Sequence, residues 1–548
     1  MGVEWHRSLL HIVEESRKKG IVFYGAGYWG EVAYELFSLF KVTPVCYCDD
    51  NPKKVGTIFC DTPVCSLEEA TERYNESLYI VCVDESPGEG MVNHKRRLQM
   101  INKLKEYGVY TADTEMHLCY YVFLLDIGIE SIYEDLEKKE IREDQFSAEE
   151  LKKIILFNNM SNSGAYYLEQ LLDGHSELLF LPYIESLERV WEKRLQYLEG
   201  PELLVELMAQ LLGYFESKYN HIWCVGQHRF KDFCTDEEGR FIEAIYQDGR
   251  SYMRNLRHQF GSQVKLSSYG HMLKVLFAAY NNTLGRRKDG NTEYWIFYHM
   301  HLPNYDVKKM YDHLHPEEFD RIENLIIIRE PVQHLYSWIR RCLLKESNSA
   351  MEEAYLSNVL KSDFGIMLEK QPGIENVRII KFEDLKYQSK ATLNSLCEWL
   401  KISYEDCMDC TTINGTTIYF PVNTAEGKKY ITGNDTLAVG IKDFSEIFSI
   451  WDEVRLNIVF GKMKRAYGYE TSVPDFTEWS SVERKHILEE RFKCSELIEK
   501  ALVEKRGEAN WYDVDKFIKE IMITYMEEYQ EGTAYYGYIG EEKSKGEE

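Results

Sequence analysis

Three short stretches carry residue types suited to holding phosphate-like anions. The first is Asn158-Asn159-Met160-Ser161-Asn162-Ser163-Gly164, set between an apolar run, Lys153 to Phe157, and Ala165, where a helical pattern with Leu168, Leu171 and Leu172 begins. Short hydroxyl side chains, a glycine and the exposed amides of a helix N-terminus together make an anion cradle. No Lys-Ser or Lys-Thr follows the glycine, so the loop is not that of the nucleoside triphosphate hydrolases. The second stretch, ENLIIIREPVQHLYSWIRR, is an apolar strand ending in Arg329, with Pro331 opening a helix and Ser337 eight residues past the arginine. From those positions a forked guanidinium and a hydroxyl can both reach one phosphate group. The third, Gly25-Ala26-Gly27-Tyr28-Trp29-Gly30, follows the apolar run Ile21 to Tyr24, and Asp49 stands nineteen residues past its last glycine. This spacing is that of the dinucleotide fingerprint: a tight turn, a close approach to pyrophosphate, helix packing and a carboxylate for ribose hydroxyls. The same glycines also suit a turn that binds no cofactor, or a sugar-nucleotide site.

The elements that must position these residues alternate between strand and helix, the pattern of a parallel α/β sheet. Strands are expected at Ile21 to Tyr24, Val45 to Cys48 and Leu78 to Val83, in a first domain over 1–125. Residues 126–150 are rich in Glu, Asp and Lys and read as a charged linker. A second α/β domain over 151–470 has expected strands at Lys153 to Phe157, Trp295 to Tyr298, Leu325 to Ile328 and Val377 to Phe382. A helical stretch at about 186–285, with few breakers, reads as an insertion covering its sheet. Residues 471–548 read as a helical, acidic extension with a disordered tail.

Composition narrows the functional classes. The 548 residues carry 65 Lys+Arg against 91 Asp+Glu, a net charge of −26, which argues against nucleic acid or an anionic membrane as partner. The 13 cysteines have no framework spacing, and Cys407/Cys410 is the one CxxC pair, with no second pair to complete a structural zinc site; no metal is expected. The N-terminus lacks the apolar core of a signal peptide, and the best apolar run, Tyr120 to Ile129, is half of the ~20 residues a membrane helix needs. A soluble, cytoplasmic protein is expected.

The order of four stretches resembles the sulfotransferases that use 3′-phosphoadenosine 5′-phosphosulfate (PAPS). NNMSNSGAYYLEQLLDGHSELLFLP looks like the family's 5′-phosphosulfate loop and helix, and LIIIREPVQHLYSW looks like its 3′-phosphate motif. RIIKFEDLKYQSKATLNSLCEWLKI resembles the Glu-Asp-Leu strand and helix, and WDEVRLNIVFGKMKRAYGYE the closing helix. The resemblance covers about 151–470 and implies a P-loop-like core in which Ser161, Asn162, Ser163, Gly164, Ala165 and Tyr166 hold the 5′ phosphosulfate. Arg329 and Ser337 would hold the 3′ phosphate, and Lys428 and Lys429, with Lys442, would lie in a loop closing over the nucleotide. The 5′ loop of the family commonly carries a Lys or Arg that is missing here, where Asn158, Asn159 and Asn162 stand instead. A lost cation at such a place costs on the order of 10² to 10³ in rate, so either another cation substitutes or the domain has lost activity. Lys153, in the preceding strand, points elsewhere on this reading.

Transfer of a sulfuryl group to a hydroxyl also requires a base near the acceptor. FYHMHLPNY resembles the family's Lys-x-His-Leu-Pro segment, which makes His301 the matching base and puts His299 where the family has lysine. Glu185 is the rival, near the position of the catalytic glutamate of carbohydrate sulfotransferases. His228 and Arg229 are further acceptor-pocket candidates. The stretch from Val22 to Phe37 resembles the small Rossmann-like domains appended to bacterial glycan-modifying enzymes, whose ligand is often unknown; that resemblance implies a glycan or sugar derivative as acceptor, while the glycine spacing leaves NAD or a sugar nucleotide as the ligand of this domain. Tyr28 and Trp29 are bulky for a dehydrogenase loop, and no Tyr-x-x-x-Lys pair follows in this domain. A sulfotransferase-like fold that binds nucleotide or glycan without chemistry, and an enzyme centred on the N-terminal domain, stay open as alternatives.

Overall fold

The structure, a computed structural model, describes residues 8–83, 90–133, 143–159, 163–181, 187–211, 214–215, 234–242, 246–290, 292–300, 313–314, 316–344, 376–424, 427–433, 444–470, 491–495, 497 and 539. The chain divides into two compact units, Met1–Leu151 with Phe180–Thr292, and Lys152–Leu179 with Glu293–Glu548. The C-terminal segment expected as helix and tail lies almost wholly outside the described residues.

In the first unit, helix α1 (Leu9–Lys19) is capped by Ser8 and ends at Gly20, where φ of +79° requires a glycine. Strand β1 (Ile21–Tyr24) follows, then α2 (Tyr28–Ser38), β2 (Cys46–Cys48), the hairpin β3 (Ile58–Phe59) and β4 (Thr62–Cys65), α3 (Leu67–Arg73), β5 (Leu78–Val81) and α4 (Gly90–Glu106). The strand order is β3-β4-β2-β1-β5, with β4, β2, β1 and β5 all parallel and β3 antiparallel to β4. Counting the parallel strands in chain order gives 3-2-1-4, one half of a doubly wound sheet, with the order reversing between β1 and β5. Val22, Tyr24, Cys46, Cys48, Tyr79 and Val81 bury one core against Met100 and Leu104 of α4. The β3–β4 hairpin carries no sequence signal of its own: it is two residues of strand against four, without an apolar run.

The described part of Phe180–Thr292 groups with this unit. Three of its helices are Gly200–Ala209, Gly249–His258 and Tyr269–Thr283. The backbone amide of Phe146 donates to Asn282 Oδ1 (2.9 Å), and Asn282 Nδ2 donates back to the Phe146 carbonyl (2.9 Å). On the other side the buried Glu206 accepts from Tyr121 Oη (3.0 Å) and Arg194 Nη2 (2.6 Å).

The second unit is built on a five-stranded sheet of order β10-β9-β6-β8-β7: β6 (Lys153–Asn159), β7 (Leu178–Phe180), β8 (Trp295–His299), β9 (Arg321–Ile328) and β10 (Val377–Lys381). The pairs β6–β8, β6–β9 and β9–β10 are parallel. Strand β6 is buried from Ile154 to Asn159, as expected of a central parallel strand covered on both faces. Helix α5 (Ala165–Leu172) follows β6, α6 (Pro331–Leu344) follows β9, and α7 (Phe382–Tyr387) with α8 (Ser389–Leu400) follows β10. The register places Phe157 beside His299, Asn159 beside Ile327, and Ile328 beside Lys381. The carboxyl ends of four strands therefore share one edge, where open α/β sheets place their ligands.

Candidate functional site

At that edge, β6 ends in Asn158 and Asn159, both buried. Among the described residues, neither the amide nitrogen nor the amide oxygen of Asn158 has a hydrogen-bond partner, and the buried Ser163 Oγ has none there either. Leaving such groups unpaired costs about 1–3 kcal/mol each, so three orphaned polar atoms around one loop mark a place built to meet a polar ligand. Gly164 caps α5 with φ of +94°. A Cβ added there would fall 2.2 Å from Cδ2 of Phe382, so the loop backbone lies directly on that ring. The Arg329 guanidinium carbon is 5.2 Å from the centroid of the same ring. Phe382 thus spaces the glycine loop from the arginine, and Arg329 Nε is buried with no hydrogen-bond partner among the described residues. Burial depresses the Arg329 guanidinium below the usual arginine value, while Glu383 and Glu330 oppose that shift. Glu383 is itself pushed up by burial; it accepts from the Glu330 amide (3.0 Å) and Tyr469 Oη (2.9 Å). Glu330 accepts from the Gln333 amide (2.7 Å) at the start of α6 and pairs with the buried Lys464 (2.8 Å). Both carboxylates beside Arg329 thus also engage other groups, and among the described residues the Nε of its guanidinium is left without a hydrogen-bond partner.

His299, at the end of β8, is buried against α5. Its Nδ1 lies 2.7 Å from Glu169 Oε2 and its Nε2 lies 3.0 Å from Asn159 Oδ1. The rings of Tyr166 (5.4 Å) and Phe157 (4.9 Å) pack on it. Sequence reasoning singles out His299 and Tyr166 but misses Glu169, Asn159 as its partner, and Phe382. Glu169 lies one helical turn past Tyr166, a spacing that puts both on one face of α5.

The other expected residues fall as follows. Gly164 and Ala165 open α5, and Ser337 sits half-buried in α6. Lys428 and Lys429 are exposed on the second strand of a hairpin, Phe420–Thr424 with Gly427–Ile431, and Lys428 Nζ lies 5.3 Å from the Tyr430 ring. The carbonyl of Gly433, just past that hairpin, accepts from Tyr167 Oη of α5 (3.0 Å). Lys153 is at the opposite end of β6, paired with Glu293 (2.5 Å). Ser161, Asn162, His301, Glu185, His228, Arg229 and Lys442 lie outside the described residues. Cys407 and Cys410 are free thiols in a tight turn, with the Cys410 amide donating to the Cys407 carbonyl (3.1 Å). Nearby His175, Glu177 and Glu405 approach one another closely enough to share an ion. They are already linked through the chain: His175 Nδ1 accepts from the Glu177 amide (3.1 Å) and Glu405 Oε2 from the Ser176 amide (3.0 Å).

In the first unit, Gly25, Gly27 and Gly30 form the turn from β1 into α2. A Cβ on Gly25 would meet the Cys82 carbonyl at 2.9 Å and one on Gly30 the Gly25 carbonyl at 2.3 Å, so both serve close packing. A Cβ on Gly27 would meet only Lys54 Nζ, at 3.9 Å. Asp49 is buried, and its carboxylate accepts from the Ala26 amide (2.8 Å), the Asn51 amide (2.9 Å) and Lys54 Nζ (3.1 Å). Asp49 therefore organises the glycine turn.

No family model matches the chain, and no curated protein matches it. Among solved structures, the sulfotransferase domain from the curacin biosynthetic pathway is similar at 16% identity over 58% of this chain and 99% of its own, with a TM-score of 0.29. The sulfotransferase domain from the Synechococcus PCC 7002 olefin synthase is similar at 16% identity over 50% of this chain and 80% of its own, with a TM-score of 0.23. Both scores are too low for the likeness to define the fold, which rests on the parallel sheets described above. Among the described residues, no helix is long and apolar enough to cross a membrane.

Proposed function

We propose that the second unit binds PAPS and transfers its sulfuryl group to a hydroxyl of a glycan or sugar derivative. One observation carries this reading: Phe382 brings Gly164, at the loop with the orphaned Ser163 and Asn158 groups, and Arg329 onto a single ring. Two anion-binding sites spaced by an aromatic ring match a ligand with phosphate groups at both ends of a nucleoside. In the mechanism, the loop amides and Ser163 hold the 5′ end, Arg329 and Ser337 grip the 3′ phosphate, and the sulfuryl group is held in line with the acceptor oxygen. The S–O bond to the acceptor forms as the bond to the bridging phosphate oxygen breaks; the acceptor proton passes to His301 or Glu185, and the electron pair stays on the nucleotide. NAD or a sugar nucleotide in the glycine turn of the first unit belongs to the same proposal.

The test is calorimetry with adenosine 3′,5′-bisphosphate. Removing one partner of a buried, charge-assisted contact costs about 2–5 kcal/mol, so Arg329→Ala should weaken binding by roughly 30-fold or more. No binding to the wild type, or binding that Arg329→Ala leaves untouched, would sink this reading. Transfer of labelled sulfate from PAPS to a glycan library then separates an enzyme from a binder, a distinction made pressing by the absence of Lys or Arg between Asn158 and Gly164.

A further inference from the structure

One carboxylate ties together the segments that surround Arg329. Glu383 is the second residue of α7, next to Phe382, the ring that faces the Arg329 guanidinium. Its Oε1 accepts from the backbone amide of Glu330, the residue that follows Arg329 (3.0 Å), and its Oε2 accepts from Tyr469 Oη (2.9 Å). Tyr469 lies just past the helix Gly461–Ala466, whose Lys464 pairs with Glu330 (2.8 Å). The peptide that carries Arg329 is therefore held from two sides, by the end of β10 and by this C-terminal segment. Both oxygens of Glu383 accept, the arrangement of an ionised carboxylate. Burial works against that charge, and the charge attracts Arg329, so that an anion at the guanidinium must compete with it. Geometry accounts for a group with both disadvantages: its two acceptors span from the Glu330 amide to the Tyr469 hydroxyl.

We propose that Glu383 is a positioning residue for Arg329: by bridging the Glu330 amide to Tyr469 it sets where the guanidinium meets the 3′ phosphate. The inference deepens the function proposed above and rests on its assignment of Arg329 to that phosphate. No step of the transfer passes through Glu383, which acts through the arginine. Substitution separates the bridge from the charge. In Glu383→Gln the carbonyl still accepts from the Glu330 amide and the NH2 group donates to Tyr469 Oη, so the bridge persists without the charge. Glu383→Ala loses both. Tyr469→Phe cuts the bridge at its far end and leaves the charge in place.

The experiment is calorimetry on the full chain with adenosine 3′,5′-bisphosphate and, by competition, with adenosine 5′-phosphate, which has no 3′ group. Glu383→Ala is expected to weaken the bisphosphate by about 10-fold or more, because a displaced guanidinium forfeits the geometry of its paired bonds. Tyr469→Phe should weaken it several-fold, and Glu383→Gln should bind it at least as tightly as the wild type does, since an opposing charge is gone. Affinity for the 5′-phosphate should stay at the wild-type value in all three. A Glu383→Ala variant that binds the bisphosphate as the wild type does, a loss of affinity in Glu383→Gln, or an equal loss for the two ligands overturns the inference. If Glu383→Ala does not fold, the other two variants decide: unchanged affinity in Tyr469→Phe overturns it equally. If the 5′-phosphate is too weak to compete, the contrast between Gln and Ala decides. Bisphosphate binding that depends on Arg329 but fails these contrasts overturns this inference alone. Absence of binding to the wild type overturns it together with the function on which it rests.

Discussion

Gly164→Ala tests the geometry of the candidate site through one added methyl group. At φ of +94° an alanine pays the left-handed strain of roughly 1–2 kcal/mol. Its Cβ would also lie 2.2 and 2.4 Å from two atoms of the Phe382 ring, so the ring must move, and overpacking of this kind costs about 1–3 kcal/mol more. Together the expected loss is about 2–5 kcal/mol. Moving Phe382 also disturbs the cation–π contact to Arg329, worth about 0.5–2 kcal/mol, so nucleotide affinity should fall even where the variant remains folded. A double-mutant cycle with Phe382→Leu isolates the steric part. Trimming the ring should harm the wild type yet be neutral or favourable in the Gly164→Ala background, giving a coupling of about 1–3 kcal/mol while the backbone strain persists. Urea denaturation and binding of adenosine 3′,5′-bisphosphate provide the two readouts. Strict additivity of the two changes, or a Gly164→Ala variant that binds as the wild type does, would refute the placement of loop, ring and arginine around one site.

Two further expectations concern the first unit. Burial raises the Glu206 carboxyl to about 7 against the opposing pull of Arg194, so its proton is held more tightly in the folded than in the unfolded state. Its contribution is therefore fully present below about 4.5 and is lost as pH rises through about 7, on the order of 3 kcal/mol. Hydrogen exchange of the segments around Tyr121 and Arg194 should show looser protection at pH about 8 than at pH about 5.5 once corrected for intrinsic rates; Glu206→Gln should flatten that trend, and protection that increases with pH would contradict it. Arg97, buried, donates to the carbonyls of Val83 (2.7 Å), Glu115 (2.7 Å) and Met116 (3.0 Å), so Arg97→Ala strands three acceptors. A loss of about 3 kcal/mol or more is expected, read as a lower urea midpoint of the full chain, and an unchanged midpoint would show these bonds to be replaceable.

Sequence and structure agree best where burial is continuous. The strands at Ile21–Tyr24, Cys46–Cys48, Leu78–Val81, Lys153–Asn159, Trp295–His299, Arg321–Ile328 and Val377–Lys381 all overlap the expected apolar runs, because a strand covered on both faces is written largely in Val, Ile, Leu and aromatics; β9 also extends four residues before its run, through Arg321-Ile322-Glu323-Asn324, and β6 two past its own, through Asn158-Asn159. β7, three residues long, and the hairpins at 58–65 and 420–431 escape such a reading because they are short or exposed and their pairing depends on partners rather than on period. Arg329 is legible as the residue that ends a strand and precedes a proline. What it meets is not: the Phe382 contact joins residues far apart in sequence, and the His299–Glu169 pair spans 130 positions. Asn158 can be placed in the loop by spacing, but that its amide is buried and lacks a partner among the described residues follows only from packing.

The second unit is discontinuous in sequence, since Lys152–Leu179 and Glu293 onward are separated by a segment that belongs to the first. On the ribosome, at about 5–20 residues per second, β6 waits roughly 7–27 seconds before β8 is made, and longer for β9. Through that interval Ile154-Ile155-Leu156-Phe157, destined for complete burial, has neither of its neighbours. A central strand emerging this far ahead of both partners is a natural client for a chaperone that holds apolar segments. Expression temperature and translation speed should therefore govern the yield of soluble chain more strongly than its final stability does.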